Sequence, residues 1–258
     1  MIDWAELWRY RDLFYFLVWR DIKGRYAQSV LGVGWAIVQP LMTMVVFSVV
    51  FGHLASIGSD GVPSAVFSYV ALVPWAYFSG AVSEGTGSIA GGGMIAKVYF
   101  PRMVMPLTPI FSKLVDFAIA SVITVGLMAW FLITPTAWTL MLPLLVLVMM
   151  LFAAGLGMWL TALAVQYRDI RFALPFVLQL MMYASPVVYP ASLIPSRYRL
   201  LYGLNPMAGV IEGFRSALLG TNPMPWGMIA VGAGVAVLIA VSGAFFFRRR
   251  ERVFVDVA

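Results

Sequence analysis

Residues 140–166 read LMLPLLVLVMMLFAAGLGMWLTALAVQ and contain no charged side chain. A helix of about 20 apolar residues crosses the hydrocarbon core of a bilayer, where the backbone must satisfy its own hydrogen bonds. Only 11% of the chain is charged, against about 25% in soluble domains. The apolar runs are also continuous, whereas barrel strands alternate over about 10 residues. The sequence therefore predicts an all-α integral membrane protein.

Six such apolar segments are separated by charged or turn-forming residues. We predict membrane spans at 31–52, 64–84, 106–133, 140–166, 171–189 and 225–247. No repeat or linker interrupts the chain, so residues 1–258 are predicted to form a single transmembrane domain. The N-terminal stretch lacks a clean apolar core and a small-residue cleavage site, so no cleaved signal peptide is expected.

The net charge of +6 is distributed unevenly about these spans. With six spans, three basic residues fall on one side, namely Arg197, Arg199 and Arg215, and the other fourteen fall opposite. Because basic residues concentrate on the cytoplasmic side, both termini are predicted to be cytoplasmic. This accounts for the charge without a nucleic-acid partner.

Residues 1–27 are predicted to form an amphipathic helix along the membrane surface. Trp4 and Trp8 fall on its apolar face, while Arg9 and Arg11 belong to the charged part of the segment. Tryptophan-rich, charged helices of this kind lie in the interface rather than across it. An irregular cytoplasmic tail is the alternative.

Residues 190–222 are too long for a turn and too rich in Pro, Gly and Asn for one span. Two short helices, near 197–202 and 207–219, fit the pattern of breakers. The charge distribution places them on the outer side, dipping back into the outer leaflet.

The residues needed for catalysis or ATP binding are scarce. The chain has no cysteine and one histidine, His53, so zinc ligation and Cys–His catalysis have little support. The run GTGSIAGGG at 85–93 lacks the Lys-Ser/Thr ending and the preceding strand of a phosphate-binding loop. Neither a catalytic site, a metal site nor an ATP site is predicted.

Three charged residues lie within the predicted spans: Glu84 ends the second, and Lys113 and Asp116 lie early in the third. Lys113 and Asp116 are three positions apart and so can pair on one helix face. A proton-coupled carrier would need such groups near the membrane midplane. These lie near the cytoplasmic ends, so local pairing is the favoured interpretation.

Aromatic residues make up 15% of the chain, and most are expected in the interfacial belts. Some could instead form a path for sugars, whose apolar faces pack on flat rings. The candidates for a glycan path are Tyr69, Trp75, Tyr77, Tyr183 and Tyr189. The pattern does not decide between belt and path.

The connector GGGMIAKVYFPRMVMPL at 91–107 carries cations and prolines that a lipid-buried segment would avoid. On the cytoplasmic side, such a segment could fit a cleft on a soluble partner, anchored by Tyr99 and Phe100 and oriented by Lys97 and Arg102. A basic loop at the lipid headgroups is the alternative.

The order of five blocks makes the interpretation more specific. These are KGRYAQSVLGVGWAIVQPL (23–41), FSYVALVPWAYFS (67–79), KVYFPRMVMPL (97–107), YRDIRFALPFVLQLMMYASPVVYP (167–190) and LNPMAGVIEGFRSALLG (204–220). In this order they resemble the membrane permeases of ABC-2-type polysaccharide exporters, which move O-antigen, capsule or teichoic-acid polymers.

The resemblance implies a homodimer that exports an undecaprenyl-linked glycan with two copies of a separate ATPase, which would bind the ATP and Mg. It implies an ATPase-coupling segment formed by Lys97, Val98, Tyr99, Phe100, Pro101 and Arg102. It also implies an outer gate within 190–222, with Tyr198, Asn205, Pro206, Glu212 and Arg215 as candidate residues. Membrane lipids would surround the assembly.

Three other functions stay open from the sequence. One is an ABC-2 exporter of drugs or small lipids, one is a self-sufficient secondary carrier, and one is a membrane-embedded glycan enzyme. The ordered blocks disfavour the first, the position of the charges disfavours the second, and the scarcity of catalytic groups disfavours the third.

Overall fold

The computed structural model describes residues 9–27, 29–55, 57–89 and 100–251. Within these ranges the chain forms nine α-helices and no strand. The helices are α1 Arg11–Tyr26, α2 Trp35–Phe47, α3 Ser64–Gly87, α4 Val104–Trp130, α5 Leu142–Gln166, α6 Asp169–Tyr183, α7 Arg199–Tyr202, α8 Pro206–Leu219 and α9 Trp226–Arg250. The predicted all-α class is confirmed for this part of the chain.

Five helical segments are long and apolar enough to cross a membrane. They are Gly32–Leu54, Ser64–Gly87, Val104–Trp130, Ala137–Gln166 and Trp226–Arg250. The first includes α2 with a π-helical continuation, Ser48–Leu54, which contains His53. Each segment overlaps one predicted span, so the chain is a multi-pass membrane protein.

The fifth predicted span, 171–189, is not confirmed as a crossing helix. Its helix, α6, has 15 residues, which gives a length of about 22 Å against a hydrocarbon core of about 30 Å. Turns replace the helix from Ala184 onward, and Pro186 has no N–H to continue it. The apolar composition runs on to Tyr189, which is why the sequence predicted a longer span.

The central helix is α3, which packs against α2, α4, α5 and α8. The Phe78 ring on α3 stacks on the Phe152 ring of α5 with centroids 5.0 Å apart. The closest crossing joins α5 and α9, where a Cβ added to Gly155 would lie 2.6 Å from the Ala240 backbone nitrogen. Small residues let helix backbones approach in membranes, and this crossing depends on glycine at that position.

Residues 190–222, called the outer segment here after their predicted side of the membrane, contain the two short helices predicted there, α7 and α8. Helix α8 begins with proline at its first turn, and the Asn205 side chain accepts a hydrogen bond from the Met207 N–H at 3.1 Å. It ends at Gly220, whose φ of 65° is in the left-handed region. Whether these helices enter the membrane stays a prediction.

Helix α1 lies against α4 rather than standing apart from the bundle. Leu17 is buried, and the Phe14 ring meets the Phe111 ring edge-on at 5.2 Å. Tyr15, Phe16 and Trp19 remain exposed, as an interfacial helix requires. Trp4 and Trp8 lie outside the described residues, and the position of α1 at a membrane surface stays a prediction.

Candidate functional site

A cluster of charged side chains joins α1, α3 and α4. The predicted pair is confirmed, since Lys113 Nζ lies 3.3 Å from Asp116 Oδ2. Lys113 Nζ also lies 2.7 Å from Glu84 Oε1 on α3. The expected position near the helix ends holds for Glu84, in the last turn of α3, but is wrong for Lys113 and Asp116, which lie near the middle of α4. The local pair is part of a larger arrangement.

Arg25 of α1 completes this cluster. Its guanidinium donates to Glu84 Oε2 at 2.7 Å, to Asp116 Oδ2 at 2.8 Å and to Asp21 Oδ2 at 2.9 Å. The Tyr26 hydroxyl donates to the other oxygen of Asp116. Sequence reasoning missed Arg25, because its partners on α3 and α4 lie far away along the chain.

The inner charge cluster, defined as Asp21, Arg25, Glu84, Lys113 and Asp116, contains three carboxylates and two cations. Burial lowers the pKa of Arg25, but the carboxylates of Glu84, Asp116 and Asp21 outweigh burial and raise it overall. Burial and the hydrogen bond to Asp116 raise the pKa of Tyr26 to about 12. Both groups therefore keep their protons at neutral pH and connect α1 to α3 and α4.

A cavity of about 450 Å³ opens beside this cluster, between α2, α3 and α4. Glu84, Lys113 and Asp116 form one part of its wall, and Trp35, Gln39 and Thr43 of α2 form another. A neighbouring cavity of about 410 Å³ lies between α3 and α6. Polar groups thus line an open region beside the most buried span.

The aromatic residues proposed for a glycan path do not lie together. Tyr69 is fully buried in the core, and Tyr77 is buried with its hydroxyl donating to the Ile110 carbonyl at 2.7 Å. Trp75 is 6% exposed and lines both cavities. Tyr183 is exposed, and the Tyr189 hydroxyl lies 2.9 Å from the Tyr202 hydroxyl near the outer helices. Of the five, only Trp75 and Tyr77 line one of the two cavities described beside α3.

Arg215 of α8 is fully buried and connects the outer helices to the end of α6. Its guanidinium donates to the carbonyls of Pro186 at 2.6 Å and Val187 at 2.9 Å, and to Glu212 Oε1 at 2.8 Å. It also lies 3.6 Å from the centre of the Phe67 ring. Glu212 Oε1 accepts from the Ala191 N–H at 3.2 Å as well. We call this arrangement of Arg215, Glu212 and the backbone of residues 186–191 the Arg215 clamp. It supplies hydrogen-bond donors to carbonyls that lack helical partners where α6 ends.

The other predicted gate residues lie around this clamp. Asn205 donates to the Ser185 hydroxyl at 2.8 Å, and Pro206 begins α8. Tyr198 is exposed, with the Arg197 guanidinium over its ring. The structure therefore brings Asn205, Glu212 and Arg215 to the 184–191 turn, while Tyr198 faces outward.

The connector is described from Phe100 onward, and Lys97, Val98 and Tyr99 lie outside the described residues. Phe100 is 5% exposed and packs with Ile89, Met103 and Phe247 of its own chain. The Arg102 N–H donates to Glu251 Oε1 at 2.9 Å, whereas its guanidinium Nη1 is buried without a partner among the described residues. In this conformation Phe100 is thus a core residue, and Arg102 retains an unused donor.

The profile of the ABC-2 type transporter family matches residues 12–219, which is most of the chain. The chain belongs to the ABC-2 type transporter family.

Named relatives of this ABC-2 chain include export proteins. It is 30% identical over 95% of both chains to the O-antigen export system permease protein RfbA of Myxococcus xanthus. It is 24% identical over 95% of both chains to a protein of the same name from Klebsiella pneumoniae. It is 24% identical over 78% of both chains to the polysialic acid transport protein KpsM of Escherichia coli. These are transport permeases rather than enzymes.

The matched region of this ABC-2 chain contains the inner charge cluster, both cavities and the Arg215 clamp. Among the described residues, no group of three or more His, Cys, Asp or Glu could hold a metal ion. The site thus consists of polar cavity walls and ion pairs between helices.

Replacing Arg25 of this ABC-2 chain with glutamine is expected to loosen α1 from α3 and α4. Asp21, Glu84 and Asp116 would then face a single cation, and breaking a partly buried network of this kind costs about 2 kcal/mol after screening. The melting midpoint of the detergent-purified protein should fall by about 4 °C or more. Lys23→Gln on the same helix removes only a contact with the Trp19 ring and should change little. Equal midpoints for the two variants would contradict the role given to Arg25.

Proposed function

We propose that this chain is the transmembrane subunit of an ATP-driven exporter that moves undecaprenyl-linked polysaccharide of the O-antigen type across the cytoplasmic membrane. The observation that carries the proposal is the 30% identity to an O-antigen export permease over 95% of both chains. The aligned region therefore covers the residues that form the cavities, the charge cluster and the outer helices.

The proposed assembly is a homodimer with two copies of a separate ABC ATPase, which binds ATP and Mg. Each subunit has six membrane crossings and cytoplasmic termini, with α6 and the 184–191 turn together making the fifth crossing. Helices α7 and α8 re-enter the outer leaflet and form the outer gate. The positive-inside distribution of the basic residues supports this orientation.

The segment Lys97–Arg102 is proposed to dock on the ATPase. The Arg102 Nη1 atom has no hydrogen-bond partner among the described residues, and such a donor is costly until an acceptor reaches it, so an acceptor on the ATPase is part of this proposal. Because Phe100 is buried in its own chain, it is no longer proposed as an anchor on the ATPase. Tyr99 and Lys97 would contact the partner, while Phe100 would fix the segment to the bundle.

Deletion of the gene tests the function. We expect surface polysaccharide to disappear from gels of whole cells while the lipid-linked precursor accumulates inside, and a plasmid copy should reverse both changes. Normal surface polysaccharide without precursor build-up would contradict the proposal. If drug susceptibility rose in that case, an exporter of drugs or small lipids would become the better interpretation.

A further inference from the structure

Helix α3 is the most buried span, yet one of its faces is open. Residues at three- and four-residue spacing on this face are exposed or half-buried, namely Ala76, Ser79, Gly80, Ser83, Glu84 and Gly87. All are small or polar. Spans that face lipid expose large apolar side chains instead, as α4 does with Val122 and Val125 and α9 does with Leu238. The open face of α3 is therefore suited to a polar environment.

Polar side chains without partners flank this face on both sides. Gln39 on α2 and Gln179 on α6 are exposed, and neither side-chain amide makes a hydrogen bond within the described part of the chain. Each can supply two donors and an acceptor. An unpaired amide at the depth of a membrane is costly unless water or a ligand reaches it.

The two cavities beside α3 adjoin, because Trp75, Ser79, Gly80 and Met182 line both of them. Of these four shared residues, Trp75 has the largest side chain, and it is buried. Its indole N–H has no hydrogen-bond partner among the described residues. The ring is packed inside the protein, but its free N–H can donate to a sugar hydroxyl in the cavity. We call this continuous region, lined by Gln39, Trp75, Ser79, Ser83 and Gln179, the α3 groove.

The charges at one end of the groove restrict the cargo. Lys113 is neutralised by Glu84 and Asp116, and Arg25 is held by the same two carboxylates and by Asp21. The cluster as a whole has one more carboxylate than cations. It therefore offers no free cation to phosphate groups and repels anions.

We infer that the α3 groove is the surface along which uncharged, hydroxyl-rich sugar units of the cargo slide during export, and that it disfavours polymers with phosphate in every repeat. This rests on the proposed function and names the class of polymer. Amides, hydroxyls and one indole provide many weak hydrogen bonds, which allow a chain to move without a deep binding minimum.

Because the chain contains no cysteine, single cysteines can be introduced without removing others. We would make Ser79→Cys, Ser83→Cys and Gln179→Cys, with Val122→Cys and Leu238→Cys as controls on exposed apolar faces. Each variant is first checked for export of polysaccharide. In inside-out vesicles containing the full transporter, a cationic trimethylammonium methanethiosulfonate should label the groove cysteines at least tenfold faster than the controls.

Two comparisons test the cargo. Vesicles from cells that make the lipid-linked polymer should show at least threefold slower labelling in the groove than vesicles from cells lacking the first glycosyltransferase, because polymer in transit shields the thiols. At Ser83→Cys, the cationic reagent should react at least threefold faster than an anionic sulfonate reagent, after each rate is divided by the rate of the same reagent with a free thiol in solution.

Several outcomes would overturn the inference. The first three are labelling as slow as in the controls, fast labelling unaffected by polymer, and an equal or faster normalised reaction with the anionic reagent. The fourth is spontaneous disulfides between protomers, which would indicate helix contact instead of a groove. Failure of the proposed function is distinguishable, because gene deletion would then leave surface polysaccharide unchanged. If deletion abolishes export but the groove cysteines are not shielded, only this inference fails.

Discussion

Arg215→Met is expected to remove most of the folded protein from the membrane. The arginine is fully buried and donates to the carbonyls of Pro186, Val187 and Tyr189 and to Glu212. Methionine has a similar volume but no donor, so these carbonyls and one buried carboxylate would lose their partner. Breaking a buried ion pair in this way costs about 3–5 kcal/mol.

Size-exclusion chromatography of a fluorescent fusion, followed by the melting midpoint of any recovered protein, would measure this loss. Arg197→Met is the matched control, because that arginine is exposed and lies over the Tyr198 ring. It should behave as wild type. A monodisperse Arg215→Met protein with an unchanged midpoint would show that the clamp is dispensable.

A second substitution separates the ion pair from the hydrogen bonds to carbonyls. In the double variant Glu212→Gln with Arg215→Met, the buried charge is absent, while the amide oxygen can still accept from the Ala191 N–H. We expect the double variant to be more stable than Arg215→Met alone, as is usual for residues that share one network. Additive losses would indicate that the carbonyl contacts, and not the pair, dominate.

Lys97→Glu combined with Tyr99→Ala is expected to abolish recovery of the ATPase with the permease while the permease still inserts into the membrane. A buried aromatic anchor contributes about 2 kcal/mol or more to an interface, and reversal of a nearby charge adds repulsion. The ATPase recovered should therefore fall at least tenfold, with loss of polysaccharide export. Pull-down from solubilised membranes at equal permease levels measures this.

Phe100→Leu provides the control for this experiment. Since Phe100 packs within its own chain, leucine should lower the melting midpoint slightly but keep the ATPase bound. Retained ATPase in the Lys97→Glu, Tyr99→Ala variant would count against docking through this segment. Loss of ATPase in Phe100→Leu at normal stability would restore Phe100 as a contact residue.

The sequence is informative wherever the determining pattern is local. Long apolar runs predict the five helices that can cross a membrane, and three-residue spacing predicts the contact of Lys113 with Asp116. The short outer helices follow from Pro206 at the start and Gly220 at the end of α8. Each of these depends on residues within a few turns of one another.

Contacts between distant segments could not be predicted in the same way. Arg25 and Glu84 are 59 positions apart, and apolar periodicity in α1 suggests a lipid-facing helix rather than one paired through charges. The end of α6 at Tyr183 depends on Arg215, which donates hydrogen bonds to carbonyls of the turn that follows the helix. Burial of Phe100 depends on Phe247 at the other end of the chain.

The hydrogen bond between Glu251 and the Arg102 N–H has a practical consequence for handling the protein. It places Glu251, at the end of α9, beside the connector. A reporter or affinity tag inserted directly after Glu251 would begin close to the surface on which the motor subunit is proposed to sit. Labels belong instead on the ATPase, or behind a long spacer.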